Sequence, residues 1–371
     1  MNAAPALLNS KPHYAVLDGL RGVAAVLVVA FHLMEAHATG HFDQMINHGY
    51  LAVDFFFMLS GYVIGYAYDD RWGKMTLGAF FKRRIIRLQP MVIIGSVVGA
   101  ACFYFQDSAM WPTIHEVPVW QVLLLMVVGA TLLPVTLGMD IRGWTEMHPL
   151  NGPAWSLFYE YIGNILYALF VRRFSKTMLS ILVFVAGAAL VHYAVTNPGG
   201  DMVGGWSLTW EQLRVGFTRL CFPFFGGLLL SRLTRPADIK NAFLWCSLLL
   251  LAVLAMPRIG GADNVWVNGL YESAVIITVF PLIVWMGATG GSKSGPMARA
   301  CKFLGDISYP IYITHYPLVY IYTGYVSNGK LPLGQTWGWA LLMFVAASTL
   351  AYGSLKLWDE PVREWLRKKW K

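Results

Sequence analysis

Hydrophobic positions along this chain come in long continuous runs separated by short polar segments, and they do not alternate with period two. Runs of bilayer length predict membrane-crossing helices, and the missing alternation argues against a barrel. Ten such runs predict spans at Ala15 to Met34, His48 to Tyr68, Ile85 to Phe105, Trp155 to Val171, Thr177 to Thr196, Leu213 to Ser231, Ala242 to Met256, Tyr271 to Thr289, Ile307 to Val326 and Thr336 to Leu357. An eleventh run, Val117 to Leu137, is also long enough to cross and carries no charge. The predicted fold is an all-α integral membrane protein, a bundle of about ten transmembrane helices in a single domain over residues 1–371.

Loop charges decide how the eleventh run is read. With a cytoplasmic start, the loop after the first run has no Lys or Arg, while the next carries Arg71, Lys74, Lys82, Arg83, Arg84 and Arg87. That obeys the positive-inside rule. If Val117 to Leu137 crossed, Arg172, Arg173, Lys176, Arg232, Arg235 and Lys240 would all fall outside. Reading it as re-entrant or peripheral keeps the bias through to Arg363, Arg367, Lys368, Lys369 and Lys371. Both termini are then cytoplasmic, in a multi-pass protein of a bacterial inner membrane. Lys11, the short apolar run and Ala36-His37-Ala38 imitate a cleaved signal, but Asp18 and Arg21 inside the run argue for a retained first span.

Composition agrees with the pattern. Of 371 residues 57% are hydrophobic and 13% charged, far from a soluble domain's roughly 25% charged. The formal charge of +8 resides in short loops, where Lys and Arg set orientation and meet anionic lipid; no nucleic-acid partner is expected. Cys102, Cys221, Cys246 and Cys301 lie far apart without zinc or redox spacing and read as small buried hydrophobes. No metal is expected.

The chemistry begins where the apolar pattern is broken. Arg21 and His32 are eleven residues apart on the first run, which places them on nearly the same helical face about 16 Å apart. An ionisable residue inside a span faces the bundle interior by default. Asp54 enters the second run near the depth of His32 and is the acidic candidate for orienting that imidazole. Ser60 follows on the same run. Arg83, Arg84 and Arg87 cluster their guanidinium groups at the inner mouth of the third run, an arrangement suited to a polyphosphate. Ser156, Glu160 and Asn164 form a polar stripe at four-residue spacing. Ser308, Tyr312 and His315 share one face of the run from Ile307, which Pro310 and Pro317 kink.

Six of these segments, in order from residue 17 to 363, resemble the acyltransferase-3 family of membrane acyltransferases. They are Leu-Asp-Gly-Leu-Arg21 with ten residues before His32, Val-Asp54-Phe-Phe-Phe-Met-Leu-Ser60-Gly-Tyr62, Arg84-Ile-Ile-Arg87-Leu-Gln-Pro90, Trp155-Ser-Leu-Phe-Tyr-Glu160, Gly305-Asp-Ile-Ser308-Tyr309 through His315, and Glu360-Pro-Val-Arg363. The resemblance implies transfer of an acyl group, usually acetyl, from cytoplasmic acyl-CoA to a hydroxyl of a glycan or lipid-linked sugar. It assigns Arg83, Arg84 and Arg87 to the phosphates of acetyl-CoA and Arg21 to its arm or thioester. His32, oriented by Asp54, becomes the general base or a transient acyl carrier, and Glu160 a supporting catalytic group. Ser60, Tyr62, Trp155, Tyr312 and His315 are left to bind the acceptor. Some members carry an additional soluble hydrolase-like domain, which is not expected in this chain. A homodimer through an apolar span face fits the pattern. The competing class is a polytopic secondary transporter or glycan exporter, whose Arg, His and Glu would couple protons. The inverted repeats that would favour it are not visible in the sequence.

Overall fold

The computed structural model describes residues 11, 13–234, 237–290 and 295–370. Arg235 and Lys371 of the charge pattern, and the first ten residues of the expected domain, lie outside them. The described chain is helical: α1 Ala15–Glu35, α2 Ala52–Tyr68, α3 Leu77–Cys102, α4 Val119–Ala130, α5 Ala154–Leu169, α6 Lys176–Thr196, α7 Trp210–Leu233, α8 Ala242–Ala255, α9 Val265–Ala274, α10 Phe280–Thr289, α11 Pro296–Thr314, α12 Tyr316–Gly329, α13 Leu333–Ser354 and α14 Glu360–Lys369. Single π-turns join α9 to α10 and α13 to α14. Seven helical stretches are long and apolar enough to cross a membrane.

Three expected spans differ in detail. The run at Trp155 becomes a helix of 16 residues and that at Ala242 one of 14 residues. The run from Ile307 breaks at His315 into α11 and α12, because Pro317 has no N–H to continue the ladder. The carbonyl that Pro317 leaves free, that of Ile313, accepts a 2.8 Å hydrogen bond from Asn151 Nδ2 instead. The eleventh run forms only the 12-residue α4 and then a turn with Leu132 at positive φ. Twelve residues rise about 18 Å, well short of a hydrocarbon core of roughly 30 Å. Val119, Trp120, Leu123 and Val127 face outward from it.

Two helix pairs set the frame, and both close on small residues, as membrane helices do where backbones must approach. In the α1–α11 pair Gly22 lies against the Leu304 backbone and Gly305 against Asp18, so that a Cβ at either glycine would collide. In the α2–α7 pair Gly61 meets the Phe224 carbonyl and Gly227 the Met58 carbonyl. The first pair carries Arg21 to Ser308, and the second carries Asp54 to Arg219. The Thr76 hydroxyl caps α3 by accepting from the Ala79 N–H at 3.1 Å, which starts the helix bearing the arginine run.

Candidate active site

A cavity of about 1230 Å³ opens between α1, α2, α3, α5, α11 and α14. Its basic end is built from the expected arginines. Arg21 donates from Nε to Ser308 Oγ at 2.9 Å and from Nη2 to Asp18 at 3.0 Å, while the His13 ring meets the other Asp18 oxygen at 2.7 Å. Arg84 is buried and donates to Glu160 at 2.6 Å; Ser60 Oγ donates to the same oxygen at 2.7 Å. Arg83 and Arg87 are exposed to the cavity, and among the described residues neither forms an ion pair or hydrogen bond. Lys302, Arg363 and Arg367 also line it, cations that the sequence reading did not assign to the site. Asp18, Glu160, Asp306 and Glu360 are the carboxylates on its wall. Seven Lys and Arg against four carboxylates leave the cavity an attractor for a polyvalent anion.

The opposite end is aromatic and hydroxylic. Tyr312 and Ser156 share a 2.7 Å hydrogen bond, and Phe56 meets the Tyr312 ring edge to face at 5.3 Å between centroids. All three line the cavity. One helical turn beyond Tyr312, the His32 and His315 rings stack at 5.6 Å, and neither belongs to the cavity wall. His315 is fully buried, and its Nδ1 sits 2.9 Å from both the Ile311 and Tyr312 carbonyls. Two carbonyl partners require a hydrogen on Nδ1, so Nε2 holds a lone pair, and it is buried without a partner. His32 likewise has its Nδ1 committed, to Glu35 at 2.9 Å, and its ring is edge-on to Tyr316 at 4.7 Å.

The expected pairing of His32 with Asp54 is not formed. Asp54 is fully buried and held by Arg219 of α7, with Nη2 to Oδ2 at 2.7 Å and Nε to both oxygens at 3.2–3.3 Å. Arg219 further donates to the carbonyls of Tyr50 (2.7 Å) and Gly204 (3.1 Å), with the Trp155 ring 5.1 Å away. Depth in the bilayer placed Asp54 near His32, but the Gly61 and Gly227 contacts turn it toward α7. The carboxylate beside His32 is Glu35, three residues along the same helix face. Arg219 was readable as a cation deep in an apolar run, and Glu35 as an i, i+3 neighbour. Trp155 is thus packing for Arg219, and Tyr62 is buried against Tyr14 at 5.8 Å; neither lines the cavity.

The four cysteines are free, two of them buried. Among the described residues no group of three or more His, Cys, Asp or Glu is placed to hold a metal ion.

Comparison with known proteins bears on this arrangement. The acyltransferase-3 family model, described as an acyltransferase domain, matches residues 14–355. Protein 2 in the picA locus of Rhizobium radiobacter is 34% identical over 185 residues, which is 48% of this chain and 92% of that one. The acyltransferase MdmB of Streptomyces mycarofaciens is 24% identical over 361 residues, covering 90% of this chain and 86% of its own. The O-acetyltransferase OatA of Staphylococcus aureus is 21% identical over 330 residues, 85% of this chain and 52% of OatA. No solved structure matches the chain. The match runs from just before the cation at Arg21 to the end of α13, through every wall of the cavity except α14, and by it the chain belongs to the acyltransferase-3 family of membrane O-acyltransferases.

Proposed function

We propose that this enzyme takes an acyl group, acetyl in the simplest case, from acetyl-CoA on the cytoplasmic side of a bacterial inner membrane. It passes the group to a hydroxyl of a glycan, such as an exopolysaccharide, O-antigen or lipid-linked sugar. The observation that carries this reading is the basic cavity that runs from Arg83 and Arg87 to Tyr312, one helical turn short of His32. Unpaired guanidinium groups at one end suit phosphates, which planar forks bind bidentately. The long wall suits an extended pantetheine arm, since such an arm can cover most of the roughly 16 Å from Arg21 toward His32 that the helix holds fixed.

In this mechanism Arg83, Arg84 and Arg87 bind the donor's phosphates, with Arg84 steered by Glu160. Arg21, fixed by Asp18 and Ser308, binds farther along the arm. His32 acts as general base: with Nδ1–H given to Glu35, its Nε2 takes the proton of the acceptor hydroxyl while that oxygen attacks the thioester carbonyl. The His32 imidazolium returns that proton to the departing thiolate as the ester forms. His315 and Tyr316 flank the acceptor oxygen. Charge bias in the loops supports a cytoplasmic mouth, with both termini on that side.

Acetyl-CoA binding and turnover by the purified protein test the proposal. Arg87→Ala weakens binding by about tenfold, the worth of one charge-assisted contact. His32→Ala leaves binding intact and lowers turnover by 10²-fold or more, the contribution of a general base. Failure of the wild type to bind any acyl-CoA favours a transporter, and wild-type turnover in His32→Ala removes the base assignment.

A further inference from the structure

The long helix α13 does not end at the membrane surface. A π-turn over Leu355–Asp359 carries the helix on into α14, and Glu360, Arg363 and Arg367 of α14 line the basic end of the cavity. Two contacts fasten this segment to α3: Trp358 Nε1 donates to the Pro90 carbonyl at 2.8 Å, and Lys82 Nζ donates to the Trp370 carbonyl. Such single π-turns inside helices are frequent at functional sites.

Arg363 and Arg367 lie four residues apart on α14, hence on one face, and that face is the cavity wall. Arg363 is steered by fully buried Asp359, Nη2 to Oδ2 at 2.7 Å, and its side chain keeps 24% of its surface open. Arg367 is exposed and, among the described residues, has no ion pair or hydrogen bond. The neighbouring cations behave differently. Lys368 pairs with Glu364 at 2.6 Å, and Lys369 lies 4.8 Å from the Trp365 ring, both off the cavity. Two guanidinium groups are therefore aimed at the mouth while the rest of the tail's charge is spent locally.

We propose that Arg363 and Arg367 form the subsite for the donor's 3′-phosphate. The inference rests on the acyl-CoA reading and deepens it. A thioester that must reach the Phe56–Ser156–Tyr312 end leaves the nucleotide at the other end, among residues of α14 and the first turns of α3 and α11. The 3′-phosphate is a monoester of charge about −1.5 to −2 at neutral pH, and it projects from the ribose away from the arm. Arg87, deeper along α3, is left to the diphosphate. The donor is thus gripped at two separate points by two separate elements.

Equilibrium binding of acetyl-CoA and of its 3′-dephospho form to the purified full chain in detergent separates the possibilities without any acceptor. The wild type binds acetyl-CoA about tenfold or more tighter than the dephospho form, a discrimination expected of charge-assisted contacts to one phosphate. In Arg363→Gln with Arg367→Gln, acetyl-CoA binding falls by that factor, dephospho binding stays within twofold, and the ratio approaches one. Arg367→Gln alone, remote from buried Asp359, gives a partial loss and guards against misfolding of the double variant, which size-exclusion elution monitors. Lys369→Gln, which removes the same charge from the same helix off the cavity, leaves both affinities unchanged. A ratio that persists in the double variant overturns the subsite while leaving the donor reading intact. Absence of acetyl-CoA binding by the wild type removes both.

Discussion

A buried carboxylate among the bundle helices is expensive unless a cation is brought to it, and the single pair Asp54–Arg219 shows which kind of role such a charge has. Both groups are sealed from solvent and satisfied by each other and by main-chain carbonyls. Removing one partner leaves the other charged and uncompensated, at a cost of roughly 3–5 kcal/mol. Asp54→Asn is therefore expected to lower the unfolding temperature in detergent sharply, whereas Glu35→Gln leaves the unfolding temperature near wild type and lowers turnover through His32. The opposite ranking would return Asp54 to the imidazole. Arg21 and Glu160 stood out in the sequence because each breaks an apolar run, Arg84 because it opens one, and all three line the cavity, whereas His32 lies beyond its wall. The sequence reading misassigned the partner of Asp54, because helical depth says nothing about rotation around the helix axis.

Rotation is fixed at the scale of whole helices. The α2–α7 contact puts Gly227 on the Met58 carbonyl and Gly61 on the Phe224 carbonyl, with no room for a side chain. Gly227→Val forces the two backbones apart and, by turning α2, disturbs both the Asp54–Arg219 pair and Ser60 on Glu160. The expected outcome is loss of folded protein on size-exclusion chromatography, while Gly353→Val on α13, where nothing approaches the added carbon, elutes as wild type. Equal behaviour of the two variants would deny that close packing orients α2. Element existence was legible from run length, since every expected span corresponds to helix. Breaks were harder to read: Pro317 marked one in the sequence, but the capture of the Ile313 carbonyl by Asn151 is a contact 162 residues away, beyond any local signal. The contribution of α14 to the cavity wall was likewise invisible, because the helix runs on through a π-turn past the expected end of the span at Leu357.

For the molecule as a whole, stability has an unusual dependence on pH that originates in the loop joining α4 to α5. Burial raises the Glu146 carboxyl to about 7, against the opposing pull of Arg142 and the Tyr320 hydroxyl, and burial lowers His148 to about 4. The folded protein thus holds a proton on Glu146 that the unfolded chain releases near 4.5, so this group's stabilisation is lost as pH rises toward 7. His148 works the other way: unfolded, it binds a proton below about 6.5, so its stabilisation is lost as pH falls toward 4. The two slopes offset each other between about pH 4.5 and 6.5. Glu146→Gln removes one of them and is expected to expose the other, giving thermal stability that climbs with pH across that interval; a flat profile in the variant would show that His148 is not sequestered.

The ring pair of Phe56 and Tyr312 has a further meaning once the cavity is set in a bilayer. Phe56, Ser156 and Tyr312 form one end of a polar cavity inside a membrane protein, and a water-filled continuation beyond them would give ions a route through the bundle. The enzyme therefore has an electrical duty alongside its chemical one. An opening at that end to admit the acceptor would give ions and protons a path to leak along. The transfer step must be quick relative to that leak, or made with the donor itself acting as the stopper.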